Sequence, residues 1–290
     1  MQRGSRGASK GGDSRKKPTG KFDKKDSGKK PRLRKPAPPK QRRPSKANPV
    51  SSDSSGLVRL NKYLANAGIA SRRESDELIR TGLVEVNGKV VTEMGYKVQP
   101  TDTIKFNGTE LQTEKKVYIL LNKPKGFIST VDDPKARKTV MELVANACNE
   151  RIYPVGRLDR KTTGVLLFTN DGELTTKLLH PSTGARKIYD VTLDKRLTNA
   201  DFSKIQAGLE LEDGPIKVDE ITFIDQKAHN HVGITIHSGR NRIVRRIFES
   251  LGYEVSKLDR VFFAGLTKKT LNRGQWRKLT PKEVSFLKMK

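Results

Sequence analysis

The sequence has almost none of the residues from which disulfides and metal sites are built. Cys148 is the single cysteine among 290 residues, which excludes a disulfide within the chain. The four histidines come without a CxxC, HxE or HExxH motif, so the ligand sets of zinc deaminases and metalloproteases are absent. We expect no metal. Cys148 lies in MELVANACNE, which predicts an amphipathic helix, and we interpret it as a packed side chain rather than a nucleophile.

Long apolar runs and acidic residues are also scarce. No stretch approaches the roughly 20 apolar residues that a membrane-spanning helix needs, and no segment resembles a signal peptide. Asp and Glu total 32 against 59 Lys and Arg, which gives a formal charge of +27. A charge this positive predicts a polyanionic partner. With no membrane segment to bring the chain to lipid phosphates, we expect a cytoplasmic protein that binds nucleic acid.

The first 56 residues have too few apolar side chains to fold. They contain seven Pro, seven Gly and one aromatic residue, Phe22, and they carry 18 basic against 4 acidic residues. Burial of so little apolar surface cannot offset the entropy of ordering the backbone. We predict that residues 1–56 are a disordered basic arm that attracts RNA phosphates without specificity. A merely solubilising tail is the alternative.

Two short helices with basic side chains follow the arm. The spacing of Leu60, Leu64 and Ala67 predicts the first helix, and a capping box formed by Ser71 and Glu74 starts the second. The next run, LVEVNGKVV, predicts a hairpin with an Asn-Gly turn. Five cations decorate this small unit: Arg59, Lys62, Arg72, Arg73 and Arg80.

The segment RLNKYLANAGIASRRESDELIRTGLVEVNGKVV resembles an S4-type RNA-binding domain over nearly its whole length. In that family the two helices bind structured RNA, so the resemblance implies that the five cations contact RNA. A solvated helix face is the alternative for each of them. We assign residues 57–116 to this domain and its linker.

From Val117 onwards, strands predominate. Strands are predicted for VYILLNK, GVLLFTN, KIYDVTL, ITFID, HVGITIH and RVFFAGL, and helices for ELTTKLL, SKIQAGL and NRIVRRIFESLG. Thr280, Pro281 and Glu283 mark the start of a last helix. Because short turns join most strands, we predict an α+β domain over residues 117–290, built on a mixed, largely antiparallel sheet.

A carboxylate stands between two arginines in the segment VGRLDRKTTGVLLFTNDGEL. Asp159 precedes an apolar strand and is flanked by Arg157 and Arg160. Neighbouring cations favour the ionised form of a carboxyl group, and an ionised carboxylate suits a nucleophile or a stabiliser of positive charge. From these residues alone, an aspartate that caps a turn is the stronger interpretation.

Within that segment, GRLDRKTTGVLLFTNDG closely matches the signature of the ribosomal pseudouridine synthases of the RsuA/RluB branch. LNKPKG at residues 121–126 and SGRNRIVRRIF at residues 238–248 lie in the expected order and spacing. With the S4 unit, the resemblance covers about residues 57–285 and favours the large-subunit RluB type. It implies the pseudouridine synthase fold and isomerisation of a uridine in ribosomal RNA, of the large subunit in preference to the small.

The resemblance assigns three catalytic residues. Asp159 is implied to act at the uridine, by attack on C1′, by addition to the base or by assisting loss of a ribose proton. Tyr189 in ARKIYDV corresponds to a tyrosine that stacks on the uracil and assists removal of the C5 proton, with a half-buried strand tyrosine as the alternative. Arg245 in NRIVRRIF corresponds to the arginine that pairs with the aspartate, and Arg246 is the alternative.

The predicted helix in NRIVRRIFESLG should bring further cations close to the carboxylate. We expect its apolar residues to face the core, with Arg242, Arg245 and Arg246 together on another side. Family members often have Gln or Glu where this chain has Ile243, so one polar contact is lost. Predicted RNA contacts in this domain are Arg157, Arg160, Lys161, Arg242 and Arg246, with Lys123 and Lys125 as weaker candidates.

Isomerisation of uridine breaks the N-glycosidic bond and joins C5 to C1′ without a redox step or a donated group. We therefore expect no cofactor, and we expect a monomer.

A non-catalytic RNA-binding factor for ribosome assembly with the same fold is the first alternative, and the intact RLD core disfavours it. A uridine methyltransferase would need a reactive cysteine and a loop for a methyl donor, neither of which the sequence shows.

Overall fold

The computed structural model describes residues 56–224 and 228–289, so the predicted basic arm lies outside the described residues apart from Gly56. The first eight elements belong to the predicted S4 unit. They are β1 Val58–Arg59, α1 Leu60–Asn66, α2 Arg72–Arg80, β2 Val84–Val86, β3 Lys89–Val90, β4 Lys97–Val98, β5 Ile104–Phe106 and β6 Thr109–Glu110. Strand β1 pairs with β4, and the order β3-β2-β5-β6 forms a second small sheet.

Local sequence signals produce this unit. At the start of α2, the Ser71 amide donates to the Glu74 carboxylate at 2.7 Å and the Ser71 hydroxyl accepts from the Glu74 amide at 3.3 Å, as the predicted capping box requires. Asn87 and Gly88 turn the β2–β3 hairpin with φ of 52° and 76°. The unit has its own apolar core around buried leucine, isoleucine and valine side chains.

The remaining elements form the larger domain. Its strands are β7 Tyr118–Lys123, β8 Tyr153–Pro154, β9 Thr163–Thr169, β10 Lys187–Leu193, β11 Leu209–Leu211, β12 Gly214–Ile216, β13 Glu220–Phe223, β14 His231–Ile236, β15 Val255–Phe263, β16 Leu266–Thr267 and β17 Trp276–Lys278. Its helices are α3 Val140–Val144, α4 Gly172–Leu179, α5 Asn199–Ala207, α6 Ile243–Glu249 and α7 Pro281–Met289.

Nine of these strands, counted over the described residues, form one sheet. Its order is β13-β14-β10-β15-β9-β7-β17, with β16 beside β15 and β8 beside β9. All pairings in it are antiparallel except that of β15 with β9. The prediction of a mixed, largely antiparallel sheet is therefore confirmed.

Strands β7 and β9 are buried along their whole length because both faces of the sheet are covered there. In β7, Ile119 and Leu121 enter the core on one face, while Tyr118 and Leu120 enter the core on the other. Successive side chains of a strand point to opposite faces, so a strand buried on both sides needs an unbroken apolar run.

Gly164, near the start of β9, allows a close approach of two backbones. Its φ is +109°, and a Cβ at this position would lie 2.1 Å from the carbonyl oxygen of Arg260. A side chain would not fit there. In addition, a positive φ is strained for residues other than glycine. The glycine therefore lets β15 lie directly beside the end of the loop that carries Asp159.

Several predicted elements have different bounds. Helix α3 ends at Val144, so Cys148 lies beyond it and packs half-buried against the core. Helix α5 begins at Asn199, four residues before the predicted run. Helix α6 begins two residues later than predicted, because Arg242 adopts a left-handed conformation with φ of 47°. Strand β15 begins at Val255, five residues before the predicted run, since its first residues already pair with β10.

Candidate active site

The loop between β8 and β9 carries the predicted catalytic carboxylate. Asp159 lies near the middle of this loop, and its side chain is 42% exposed. It lines a pocket of about 140 Å³ together with Tyr189, Arg242 and Arg260. Pockets for drug-sized ligands measure about 300–1,000 Å³. The small pocket therefore matches a single base better than a stack of nucleotides.

Two buried contacts fix the loop in place. Lys123, at the end of β7, is completely buried and donates from Nζ to the backbone oxygens of Asp159 at 3.1 Å and Thr162 at 2.9 Å. The Ser129 hydroxyl accepts from the Leu158 amide at 3.1 Å and donates to the Leu158 carbonyl at 3.0 Å. The backbone on both sides of the carboxylate is thus held by side chains from one neighbouring segment.

Lys123 is consequently not the RNA contact that we considered from the sequence. Burial lowers the pKa of its ammonium to about 8, against the attraction of Asp159, which raises it. Because its donors are used by backbone carbonyls inside the protein, the side chain supports the loop and cannot reach a phosphate. Lys125, two residues further along, is exposed.

Arg245 lies beside the carboxylate of Asp159, as predicted, but its side chain is buried. Its Nε is 4.0 Å from Oδ2 of Asp159, and its Nη1 donates to the Val255 carbonyl at 2.7 Å. Burial lowers the pKa of its guanidinium, while Asp159 opposes that shift. The prediction that Arg245 shares an outer helix face with Arg242 and Arg246 is wrong, because Arg245 is buried among the apolar residues of α6.

The other two arginines of this segment point elsewhere. Arg246 binds the Asp213 carboxylate, with Nη1 at 2.9 Å from Oδ2, so it is not the partner of Asp159. Arg242 precedes α6, is exposed, and forms an ion pair with Glu249 at 3.0 Å. Of the two, Arg242 lines the small pocket.

Tyr189 belongs to β10 and closes the pocket from the side of the sheet. Its alternate neighbours Lys187 and Val191 face the same side as the tyrosine, and all three are buried. Ile243, the first residue of α6, also lines the pocket. The wall is therefore apolar at the position where the family often has a glutamine or a glutamate.

A wider basic cleft adjoins the small pocket. It measures about 740 Å³ and shares Asp159, Arg157 and Arg242 with the pocket. Arg160 and Lys161 also line it, and the predicted contacts Arg157, Arg160 and Lys161 are all exposed. The carboxylate thus lies where a one-base pocket meets a positively charged groove.

The five predicted RNA contacts of the S4 unit lie apart from this pocket. Four of them are exposed: Arg59, Arg72, Arg73 and Arg80. Arg80 pairs with Glu77 of its own helix at 2.6 Å. Lys62 differs, because its Nζ lies 2.8 Å from the Glu173 carboxylate in the first turn of α4. Lys62 and Arg72 line a cavity of about 830 Å³ between the S4 unit and the larger domain.

Two buried cations of the site, Lys187 and Arg260, were not predicted from the sequence, and Lys123 was considered only as a weaker RNA contact. The Lys187 ammonium donates to the carbonyls of Ala185 at 3.0 Å and His237 at 2.8 Å, and burial lowers its pKa to about 8. One signal was available. Each of these cations lies two positions from an apolar residue on the same face of its strand, where a charge requires partners.

Comparison with known proteins agrees with this architecture. A family model described as RNA pseudouridylate synthase matches residues 117–250, and a model of the S4 domain matches residues 58–104. Ribosomal large subunit pseudouridine synthase B of Bacillus subtilis (strain 168) is 46% identical over 235 residues, which cover 80% of this chain and 96% of the relative. The protein of the same name from Vibrio cholerae is 36% identical and covers 79% of this chain and 74% of its own.

A solved structure supports the same assignment. A crystal structure of pseudouridylate synthase is 30% identical, covers 79% of this chain and 99% of its own, and gives a TM-score of 0.57. The chain therefore belongs to the RNA pseudouridine synthase family. It is a member in which an S4 domain precedes the catalytic domain, and the resemblance, the fold class and the class of enzyme predicted from the sequence are confirmed.

No helix within the described ranges is both long enough and apolar enough to cross a membrane.

Proposed function

We propose that this enzyme isomerises one uridine of large-subunit ribosomal RNA, with Asp159 as the carboxylate that acts at the nucleoside. One observation carries the proposal: a pocket of about 140 Å³ brings Asp159 and Tyr189 together at the edge of a basic cleft. The large-subunit preference is supported by two relatives, 46% and 36% identical, that bear the name ribosomal large subunit pseudouridine synthase B.

The carboxylate suits chemistry at a sugar carbon. Cleavage of the N-glycosidic bond develops positive charge at C1′, and an ionised Asp stabilises or captures such a centre. The Arg245 guanidinium, with Nε 4.0 Å from Oδ2, places a positive charge beside this carboxylate. The protein supplies a fixed anion and needs no group from a donor, because the uracil that leaves C1′ is the same uracil that returns through C5.

The small pocket requires the target nucleotide to leave its stack. A base inside a helix exposes neither C1′ nor C5 to a side chain, so an unpaired or loop uridine costs least to extrude. Tyr189 would then stack on the uracil. The exposed cations of the adjoining cleft, Arg157, Arg160 and Lys161, would bind the flanking phosphates.

Mapping of pseudouridines in ribosomal RNA tests the proposal. RNA from a strain that lacks this gene, treated with carbodiimide and read by primer extension, should have lost one stop in the large-subunit RNA and none in the small-subunit RNA. The stop should return with the wild-type gene and not with an Asp159→Asn gene. An unchanged set of stops would contradict the proposal and favour a non-catalytic assembly factor.

The S4 domain and the catalytic cleft should determine site choice without the basic arm. Removal of residues 1–55 deletes 18 basic and 4 acidic residues. We expect weaker RNA binding and a shallower dependence of the binding constant on salt concentration, because fewer counterions are released. Filter binding between 50 and 200 mM salt would measure both effects. The truncated enzyme should modify the same uridine, and modification of other uridines would contradict this assignment.

A further inference from the structure

Arg260 is buried and, within the part of the chain that the structure describes, forms no ion pair with a carboxylate. It lies within β15 and is 3% exposed. Its Nε donates to the Val165 carbonyl at 2.8 Å, and its guanidinium lies over the Phe263 ring, 4.7 Å from the centroid. Its Nη2 is buried and has no hydrogen-bond partner among the described residues. Burial lowers the pKa of this guanidinium, and a fold retains a buried, incompletely bonded cation at a cost in free energy.

The side chain that offsets this cost is Tyr189. Tyr189 lies opposite Arg260 in the pairing of β10 with β15, and its phenol group raises the pKa of the guanidinium against the effect of burial. Both residues also line the small pocket that contains Asp159. The buried cation therefore lies beside Tyr189 at this pocket.

An irregularity in the sheet creates this pairing. Strands β10 and β15 pair Ile188 with Phe262, but the register then shifts so that Tyr189 lies opposite Arg260. One residue of β15 is skipped, which is the geometry of a β-bulge. Bulges redirect side chains next to active sites. The shift brings the phenol and the guanidinium to the same place, which regular pairing would not do.

Lys187 provides an internal contrast within the same pocket. It is a second buried cation, but its ammonium donates to the carbonyls of Ala185 and His237. Charged groups line the pocket around the Tyr189 hydroxyl from several elements: Arg157, Asp159, Lys187, Arg240, Arg242 and Arg260. Of these, Arg260 is the one that lies opposite Tyr189 on the neighbouring strand.

We infer that Arg260 is a positioning residue that holds the side chain of Tyr189 in place for removal of the C5 proton. The inference rests on the proposed function of Tyr189. After C5 has joined C1′, the Tyr189 oxygen, which has given its own proton to solvent, takes the proton from C5. The C5–H electron pair forms the C5=C6 bond, the C6=N1 pair moves to N1, and N1 takes up a proton from solvent. Atoms and charge balance, and no cofactor takes part.

The test follows the C5 hydrogen directly. Ribosomal RNA transcripts carrying 5-tritiated or 5-deuterated uridine report this step, since every turnover releases the C5 hydrogen to water. Arg260→Met should lower the single-turnover rate about 10²-fold, the scale of a general base contribution, with RNA affinity unchanged. Its deuterium isotope effect should exceed that of the wild type, because removal of the C5 proton has become slower.

Two further variants keep the inference falsifiable. Arg260→Lys retains a cation if the Met variant does not fold, and its shorter ammonium should give a smaller change of the same kind. Lys187→Met removes the other buried cation and should leave the isotope effect at the wild-type value. A wild-type isotope effect in the folded Arg260 variants would overturn the inference, as would equal changes in Lys187→Met. Failure of the wild-type enzyme to release tritium from either ribosomal RNA would instead reject the proposed function.

Discussion

Replacement of Asp159 by Asn should abolish uridine conversion and leave RNA binding nearly unchanged. The amide keeps the shape of the side chain but has no charge to stabilise or capture C1′. Removal of a reacting residue of this kind lowers turnover by about 10⁴-fold or more. RNA affinity should persist because it derives from the exposed arginines and lysines of the cleft and of the S4 domain. Tritium release from transcripts carrying 5-tritiated uridine, together with filter binding, would measure both quantities.

Asp132→Asn is the matched control. Asp132 is exposed and lines the same basic cleft, so its replacement changes the charge by the same amount at the same groove. This variant should retain turnover. Equal losses in the two variants would show that Asp159 acts only through the general electrostatics of the cleft, and full turnover in Asp159→Asn would reject its catalytic role.

Replacement of Lys123 by Met should be the next most harmful change, although Lys123 does not touch the substrate pocket. The variant leaves the buried carbonyls of Asp159 and Thr162 without the donor that binds them at 3.1 and 2.9 Å. An unsatisfied buried acceptor costs about 1–3 kcal/mol. A carboxylate displaced by about 1 Å can lose about 10²-fold in rate. Urea denaturation and single-turnover kinetics would measure the two effects separately.

Lys125→Met is the control for this substitution. Lys125 has the same side chain, lies two residues away and is exposed. It should keep both its stability and its turnover rate, with at most a small decrease in RNA affinity. If Lys123→Met were as stable and as active as Lys125→Met, the buried contacts of Lys123 would have no role in holding the catalytic loop.

The pH dependence of stability gives a second measure of Lys123. Burial holds its pKa at about 8 in the folded protein, against 10.5 for an ordinary lysine. Between these values the unfolded chain binds more protons than the folded one, so the free energy of unfolding gains a contribution that rises with pH. The wild type should therefore gain stability relative to Lys123→Met from pH 8 to 10.5, as measured by urea denaturation. No gain would mean that Lys123 is not desolvated.

The elements were predictable wherever the signal was local. The apolar runs predicted β7 and β9 close to their observed bounds, because strands covered on both faces need consecutive apolar residues. The alternating run KIYDVTL predicted β10, which has one face more deeply buried than the other. The capping boxes at Ser71 and Thr280 predicted the starts of α2 and α7, because all the residues of a capping box lie within four positions of the chain. Such signals depend on no distant part of the chain.

The site was less predictable because its contacts are long-range. The burial of Lys123, Arg245 and Arg260 depends on carbonyls and a phenol group contributed by other strands, and no local pattern specifies those partners. The helix period placed Arg245 on a solvent face, whereas packing of α6 against β15 buries it. The bulge opposite Tyr189 is a property of strand pairing, and it appears only once the sheet has formed.

The pairing of β9 with β15 also affects when activity can arise during synthesis. It joins Thr163 to Asp259, nearly one hundred residues apart, so closing that loop carries a large entropic cost and contacts of this kind form slowly. The S4 helices, by contrast, contact residues close to them in the chain and leave the ribosome before β9 and β15 do. A nascent chain thus acquires its S4 helices before the strands that complete its reactive pocket have been synthesised.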